Sequence, residues 1–193
     1  MGITRFATMP DGSTLAPLNA FKHHQTKLAR AQRKLAKKKK GSQNWKTQKQ
    51  LISRLHHKIA DARKDLQHKA STMLSKNHAM IVPEDLKVRN MSVSAKGSQE
   101  IPGRNVRIKA GLNPTILGQG WFEFRQQLAY KQACQDGELV LVDPKYTSQQ
   151  CPHCDHRHRD NRKTQANFTC VECGFTENVD VVGAMNVLAR DTA

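Results

Sequence analysis

Residues 151–173 read CPHCDHRHRDNRKTQANFTCVEC, placing Cys151, Cys154, Cys170 and Cys173 as two Cys-x-x-Cys pairs fifteen residues apart. That is the spacing of a four-thiolate zinc site. Each pair can bend as a knuckle that aims two thiolates at one ion, and the intervening segment is long enough to return as a hairpin. Gly174 follows the second pair, where a tight turn needs it. Disulfides or a redox dithiol are the competing readings of the same residues. Against them stand the lack of an apolar signal segment and the odd fifth cysteine, Cys134, which point to a reducing cytosol. Four thiolates leave no open coordination position, so a metal here is expected to fold the segment and not to catalyse. His153, His156 and His158 lie inside the loop and could replace a cysteine. With a complete quartet they are expected to face solvent or a phosphate.

The chain has 193 residues, 37% hydrophobic and 5% aromatic, enough for one modest core and a small satellite. No apolar run approaches membrane-spanning length. The net charge of +16 is concentrated: between Leu18 and Ala70 there are sixteen Lys and Arg against two acids, Asp61 and Asp65, so fourteen of the sixteen net charges lie there. Such a one-sided block favours a nucleic-acid partner, because neutralising phosphates releases condensed counterions. Lys34, Lys37, Lys38, Lys39, Lys40, Lys46, Lys49 and Arg54 are the candidate contacts. A solvated helix face is the plainer alternative. A membrane surface fits less well, since the segment has no aromatic or leucine-rich face to insert.

Ahead of this block, Gly2 to Ala16 reads as a hairpin, with alternation over Ile3–Thr8, the turn signal Pro10-Asp11-Gly12, and Ser13-Thr14-Leu15 returning. A helix is expected from about Asn19 to Lys40, with Phe21, Leu28, Ala31 and Leu35 on one stripe, broken by Gly41-Ser42. A longer helix follows, with Leu51, Leu55, Ile59, Ala62, Leu66, Ala70 and Met73 as a seam against the first. Ala79–Val82 reads as a buried strand ended by Pro83. Residues 90–120, rich in Ser, Gly, Asn and Pro, suggest a long flexible loop whose Arg104, Arg107 and Lys109 could meet phosphates. Trp121, Phe124 and Leu128 share a helical face, Leu139–Val142 reads as a strand, and a last helix opens near Asp180 with Val182, Met185 and Leu188 inward and Asn178 or Asp180 as cap.

Two acids occupy suggestive places: Glu84 just past a strand end, and Asp180 at a helix start. Carboxylates at such edges can converge on magnesium. Capping a helix or closing a strand exit is the commoner use of an acid there, so the residues alone favour the plain role. Asp85 should point away from Glu84 if strand geometry continues, and Asp143 sits in a turn before Pro144.

The stretches Gly2–Thr8, Pro83–Val88, Trp121–Lys131, Tyr146–Cys151 and Asn178–Ala189, in this order and spacing, resemble the blocks of the TnpB/OrfB transposon-encoded family. The resemblance covers essentially the whole chain. It implies an α/β protein built on an incomplete RNase H-like, RuvC-type nuclease core, related to type V CRISPR effectors. The core would take residues 1–146 plus 179–193, with a basic helical hairpin insert at 18–78, the loop at 90–120 and a zinc ribbon at 147–178. It implies an RNA-guided DNA endonuclease associated with transposition, in which Glu84 matches the second and Asp180 the third catalytic carboxylate. Magnesium would be the catalytic metal and zinc the structural one, with DNA as partner, guide RNA in the full-length family, and a cytoplasmic, nucleoid-associated bacterial or archaeal setting. In that family the first carboxylate belongs to an Asp-x-Gly pattern two residues before the glycine matching Gly2, which puts it ahead of Met1. The reading therefore expects an N-terminally truncated form, inactive alone. Its alternative is a non-catalytic nucleic-acid-binding zinc-ribbon regulator.

Overall fold

The computed structural model describes residues 1–17, 20–98 and 100–190, with the backbone alone for 20–23. The expected helix start at Asn19, the Phe21 place on its stripe, Gln99 in the expected loop and residues 191–193 of the expected core lie outside the described residues. The architecture is mixed α/β, and among the described residues the strands pair two by two. The expected hairpin forms as β1 (Ala7–Thr8) antiparallel to β2 (Thr14–Leu15). It is shorter than the alternation suggests, because Ile3 and Phe6 turn into the core, where Phe6 is 1% exposed.

Helices α1 (Ala20–Ala36) and α2 (Gln43–Asn77) pack as the expected hairpin. Ser42 caps α2, its Oγ accepting from the Trp45 N–H at 3.2 Å. Leu28, Ala31 and Ile59 are buried, and Gln48 reaches the Ala31 carbonyl at 3.0 Å. The seam is only partly used: Leu51 and Met73 stay 45% and 42% exposed. Both α1 and α5 (Trp121–Ala133) pack against α2.

Where α2 meets α5, Gln67 donates to the carbonyls of Gln119 and Gly120 at 2.9 and 2.8 Å. Gly120 has φ +68°, and a Cβ there would lie 2.6 Å from Gln67 Nε2, so both conformation and space demand glycine. Phe6, Ala70, Leu74, Ile116, Trp121, Phe124 and Leu128 form the main core, with Phe6 edge-on to Phe124 at 4.8 Å. Leu128→Ala is expected to cost about 2–5 kcal/mol of unfolding free energy, seen as a lower urea midpoint at unchanged slope.

Short strand β3 (Met80–Ile81) runs parallel to β4 (Glu138–Leu139). Their ladder continues beyond both, through Val142 N–H to the Pro83 carbonyl and Asp85 N–H to the Val142 carbonyl, at 3.2 and 2.8 Å. The expectation of a buried strand is corrected, since Met80 is 40% exposed. Its second edge has no strand partner among the described residues.

The expected loop at 90–120 is also corrected. After α3 (Val88–Met91) it contains a fourteen-residue helix, α4 (Val106–Gln119), with Pro114 inside. Interior proline costs a helix about 3 kcal/mol, which is why composition argued against one. Burial of Ile116 in the main core and the reach of Asn113 Nδ2 to the Ser92 carbonyl, 2.8 Å, offset it.

The C-terminal third holds the antiparallel pair β5 (Asn167–Thr169) and β6 (Thr176–Asn178), followed directly by α6 (Val179–Ala189). Cys151, Phe168, Cys170, Val179 and Val182 form its own core. Leu188, expected inward, is 40% exposed. Buried Asn186 takes its place, donating to the carbonyls of Thr147 and Gln150 and so fixing the helix rotation.

Candidate active site and metal centre

The four cysteine sulfurs lie within 4.8 Å of one another. Cys151 and Cys173 are 3.6 Å apart, as are Cys154 and Cys170, so each close pair takes one sulfur from each knuckle. A tetrahedral site with Zn–S bonds of about 2.3 Å has edges of roughly 3.8 Å, so the donors and their spacing fit zinc. All four are free thiols, not disulfides. N–H groups of His153 and Cys173 point at the sulfurs of Cys151 and Cys170, and Gly174 has φ +74°, the turn its position requires. Crowding splits the thiols. At Cys170 burial is outweighed by the N–H groups of Cys173 and Glu172, which lower it to about 7. At Cys154 the His156 N–H is outweighed by burial and the three neighbouring thiols, which push it up to about 12. Four such groups share negative charge comfortably only around a cation. The histidines stay outside the set: His153 stacks on Phe175 and His158 accepts from the Asp160 N–H.

Glu84 and Asp180, 96 positions apart in the chain, line one cavity of about 620 Å³. The parallel ladder carries Glu84 to the cavity mouth, bridged to Val142. Strand alternation turns its neighbour to the opposite face, where Asp85 pairs with Arg125 at 2.7 Å and with Lys87. The Lys87 hydrogen bond, with the two cations, holds the Asp85 carboxyl below its ordinary value. Asp85 therefore ties the strand exit to α5. Met1, also in the lining, donates its amine to Glu84 Oε2 at 2.5 Å.

Asn178 is the cap of α6, its Oδ1 accepting from the Asp180 N–H at 3.0 Å. That leaves the Asp180 carboxylate exposed and with no protein partner among the described residues, so capping does not account for it. Val179 and Val182 on either side are buried against Cys151 and Cys170, which fixes Asp180 to the ribbon core. Asp143 instead closes its own turn on the Lys145 N–H.

Two residues of the lining escaped the sequence reading. Arg162 comes from the loop between the knuckles, half-buried, with its Nη1 on Ser148 Oγ at 2.9 Å and no acid partner among the described residues. Its signal was hidden within a run of exposed basic residues. Asp11, which the sequence marks only as part of the hairpin turn, also lines the cavity, although its carboxylate is held by the hydroxyl and N–H of Ser13 and lowered by them. Among the described residues the cysteines are the one group that brings three or more metal-ligand atoms together.

The candidate nucleic-acid contacts gather at the far end of the helical hairpin. Lys34, Lys37, Lys39, Lys40, Lys46, Lys49 and Arg54 are exposed, Lys38 is half-buried, and Lys49 lies over the Trp45 ring at 5.3 Å. Arg104 and Arg107 are exposed, while Lys109 is occupied by the Met91 carbonyl.

Residues 1–95 match a family model described as "Probable transposase" (OrfB, IS605 type), and residues 121–187 match the TNB domain of Cas12f1-like proteins. Over 192 residues the chain is 54% identical to "Putative RNA-guided DNA endonuclease InsQ" of Escherichia coli strain K12, covering all of this chain and 48% of that protein. The chain belongs to the TnpB/OrfB family. A second member, a "Putative RNA-guided DNA endonuclease" of Streptomyces pristinaespiralis, is 32% identical over 193 residues and 44% of its length. The chain thus spans about half the length of the curated relatives it matches. Its fold is similar to that in a cryo-EM structure of a Cas12f1-sgRNA-target DNA complex, with TM-score 0.53 at 21% identity, covering 91% of this chain and 43% of that one. No helix among the described residues is long and apolar enough to cross a membrane.

Proposed function

We propose that these residues form the nuclease half of an RNA-guided, metal-dependent DNA endonuclease with a RuvC-type, RNase H-like active site. The observation that carries this reading is the meeting of Glu84 and Asp180 in one cavity, with the cationic Arg162 beside them. Carboxylates of Glu84 and Asp180 would hold magnesium, which when bound activates water and stabilises the leaving oxygen in phosphodiester hydrolysis. The Arg162 guanidinium, a planar fork suited to phosphate oxygens, orients the DNA backbone there. Zinc at the four cysteines fixes the ribbon, and with it Asp180. The resemblance to the family's Asp-x-Gly pattern assigns the third carboxylate of the scheme to the position ahead of Met1.

Residues 1–193 alone are accordingly expected to give negligible magnesium-dependent nicking of single-stranded DNA, and extension upstream with aspartate next to Met1 to restore it. Turnover by residues 1–193 that disappears in Glu84→Ala and Asp180→Ala would contradict the three-carboxylate scheme.

The hairpin tip supplies the grip on nucleic acid, guide or target. Changing Lys37, Lys38, Lys39 and Lys40 together to glutamine should weaken binding to oligonucleotides of any sequence and flatten the plot of log affinity against log salt by about 3–4, at roughly 0.7–0.9 per phosphate contact. An unchanged slope, measured by fluorescence anisotropy without magnesium, would mean that the tip is only a solvated surface.

A further inference from the structure

Asn161 is completely buried, yet it is polar and sits among residues that the sequence reading treated as a loop. Its Nδ2 donates to the Gln149 carbonyl at 2.9 Å and the His156 carbonyl at 3.1 Å. Its Oδ1 accepts from the Val171 N–H at 3.0 Å. Gln149 lies two residues before Cys151, His156 two after Cys154, and Val171 between Cys170 and Cys173. One side chain therefore laces both knuckles together, with both donors and an acceptor in use. Arg162, the very next residue, enters the Glu84–Asp180 cavity, and its anchor Ser148 precedes the first knuckle by three residues.

We propose that Asn161 is a positioning residue that couples metal binding at the four cysteines to the placement of Arg162 in the cavity. The metal draws the knuckles together, which sets the three backbone groups that Asn161 bridges. A bridged Asn161 fixes the backbone from which Arg162 departs. When the metal leaves, those three groups separate and Arg162 loses its direction toward the carboxylates. The ribbon is then a metal-dependent switch on the cavity as well as a fold-stabilising insert. This rests on the reading of the cavity as a phosphate site only for its consequence, not for the coupling itself.

The test uses the full chain and three readouts: zinc affinity by competition with a chromophoric chelator, the Arg162 Nε–Hε signal in nitrogen-15 NMR, assigned with Arg162→Lys, and anisotropy of a labelled single-stranded DNA. Asn161→Asp keeps the acceptor but sets an oxygen against two carbonyls. It should weaken zinc by about 10- to 100-fold, as loss of an outer-shell partner does, and broaden the Arg162 signal even at saturating zinc. Ser148→Ala should leave zinc affinity unchanged while releasing the Arg162 signal, which separates local positioning from ribbon folding. Unaltered zinc affinity in Asn161→Asp, or an Arg162 signal that stays sharp after chelation, would overturn the coupling. If the Arg162 signal follows zinc as expected but DNA affinity ignores both zinc and Arg162→Lys, the coupling stands and the phosphate-site reading fails.

Discussion

Cys170→Ser is expected to abolish metal binding and unfold residues 147–178 while leaving the helical half of the molecule folded. Cys170 is 2% exposed and belongs to the cluster of Cys151, Phe168, Val179 and Val182, the only apolar core the ribbon has. Strands β5 and β6 have three residues each, too few to order the segment unaided. In such segments structural zinc contributes about 10–16 kcal/mol of folding free energy, far more than a single packing contact. The main core, from Phe6 through Leu128, shares no residue with this cluster, so the damage should stop at the boundary. Bound zinc should fall from one per chain to none by elemental analysis. Amide signals of the ribbon should collapse while those of α5 persist. A ribbon that kept its dispersed signals in the variant, or after exhaustive chelation, would show that protein contacts alone hold it. Because Val179 and Val182 belong to the ribbon core, chelation should also loosen the start of α6 and with it Asp180.

The second large effect concerns the two acids. In a chain extended upstream so that an aspartate stands next to Met1, Glu84→Ala and Asp180→Ala should each reduce magnesium-dependent cleavage by at least the ~10²–10³-fold that follows loss of one charge-stabilising group. Neither change should unfold the molecule. Asp180 is exposed without a protein partner, and its helix keeps the Asn178 cap. Glu84 sits at the end of a ladder made by backbone groups, which its side chain does not join. Asp85→Ala provides the contrast. It should keep the Glu84 carboxylate but loosen the strand exit by removing the Arg125 pair. Cleavage that survives Asp180→Ala at full rate, with thermal stability unchanged, would remove Asp180 from the site.

Much of this was legible in the sequence because it depends on spacing. The cysteine quartet, the Gly41-Ser42 break, the Phe124–Leu128 face and the pointing away of Asp85 follow from local geometry. What failed to show did so for identifiable reasons. Residues 106–119 look like a loop because glycine, asparagine and proline lower helix propensity, and only contact with α3 and the main core reverses that balance. Leu188 looks buried by period, but the Asn186 hydrogen bonds set the rotation of α6. Arg162 carries no pattern of its own, being one cation among several between Arg157 and Lys163.

The sequence by itself determined the cysteine quartet that could hold a metal and the basic hairpin, since both are encoded in the order of residues along a short stretch. It also nominated Glu84 and Asp180, but could not say whether either acid was merely closing a strand or capping a helix. The tertiary structure decided the cap. It gave the α6 cap to Asn178, set Asp85 on the opposite face, and brought Glu84, Asp180 and Arg162 to one cavity from a parallel ladder, a helix start and a ribbon loop. Convergence of this kind comes from packing between segments distant in the chain, for which no local periodicity carries a signal.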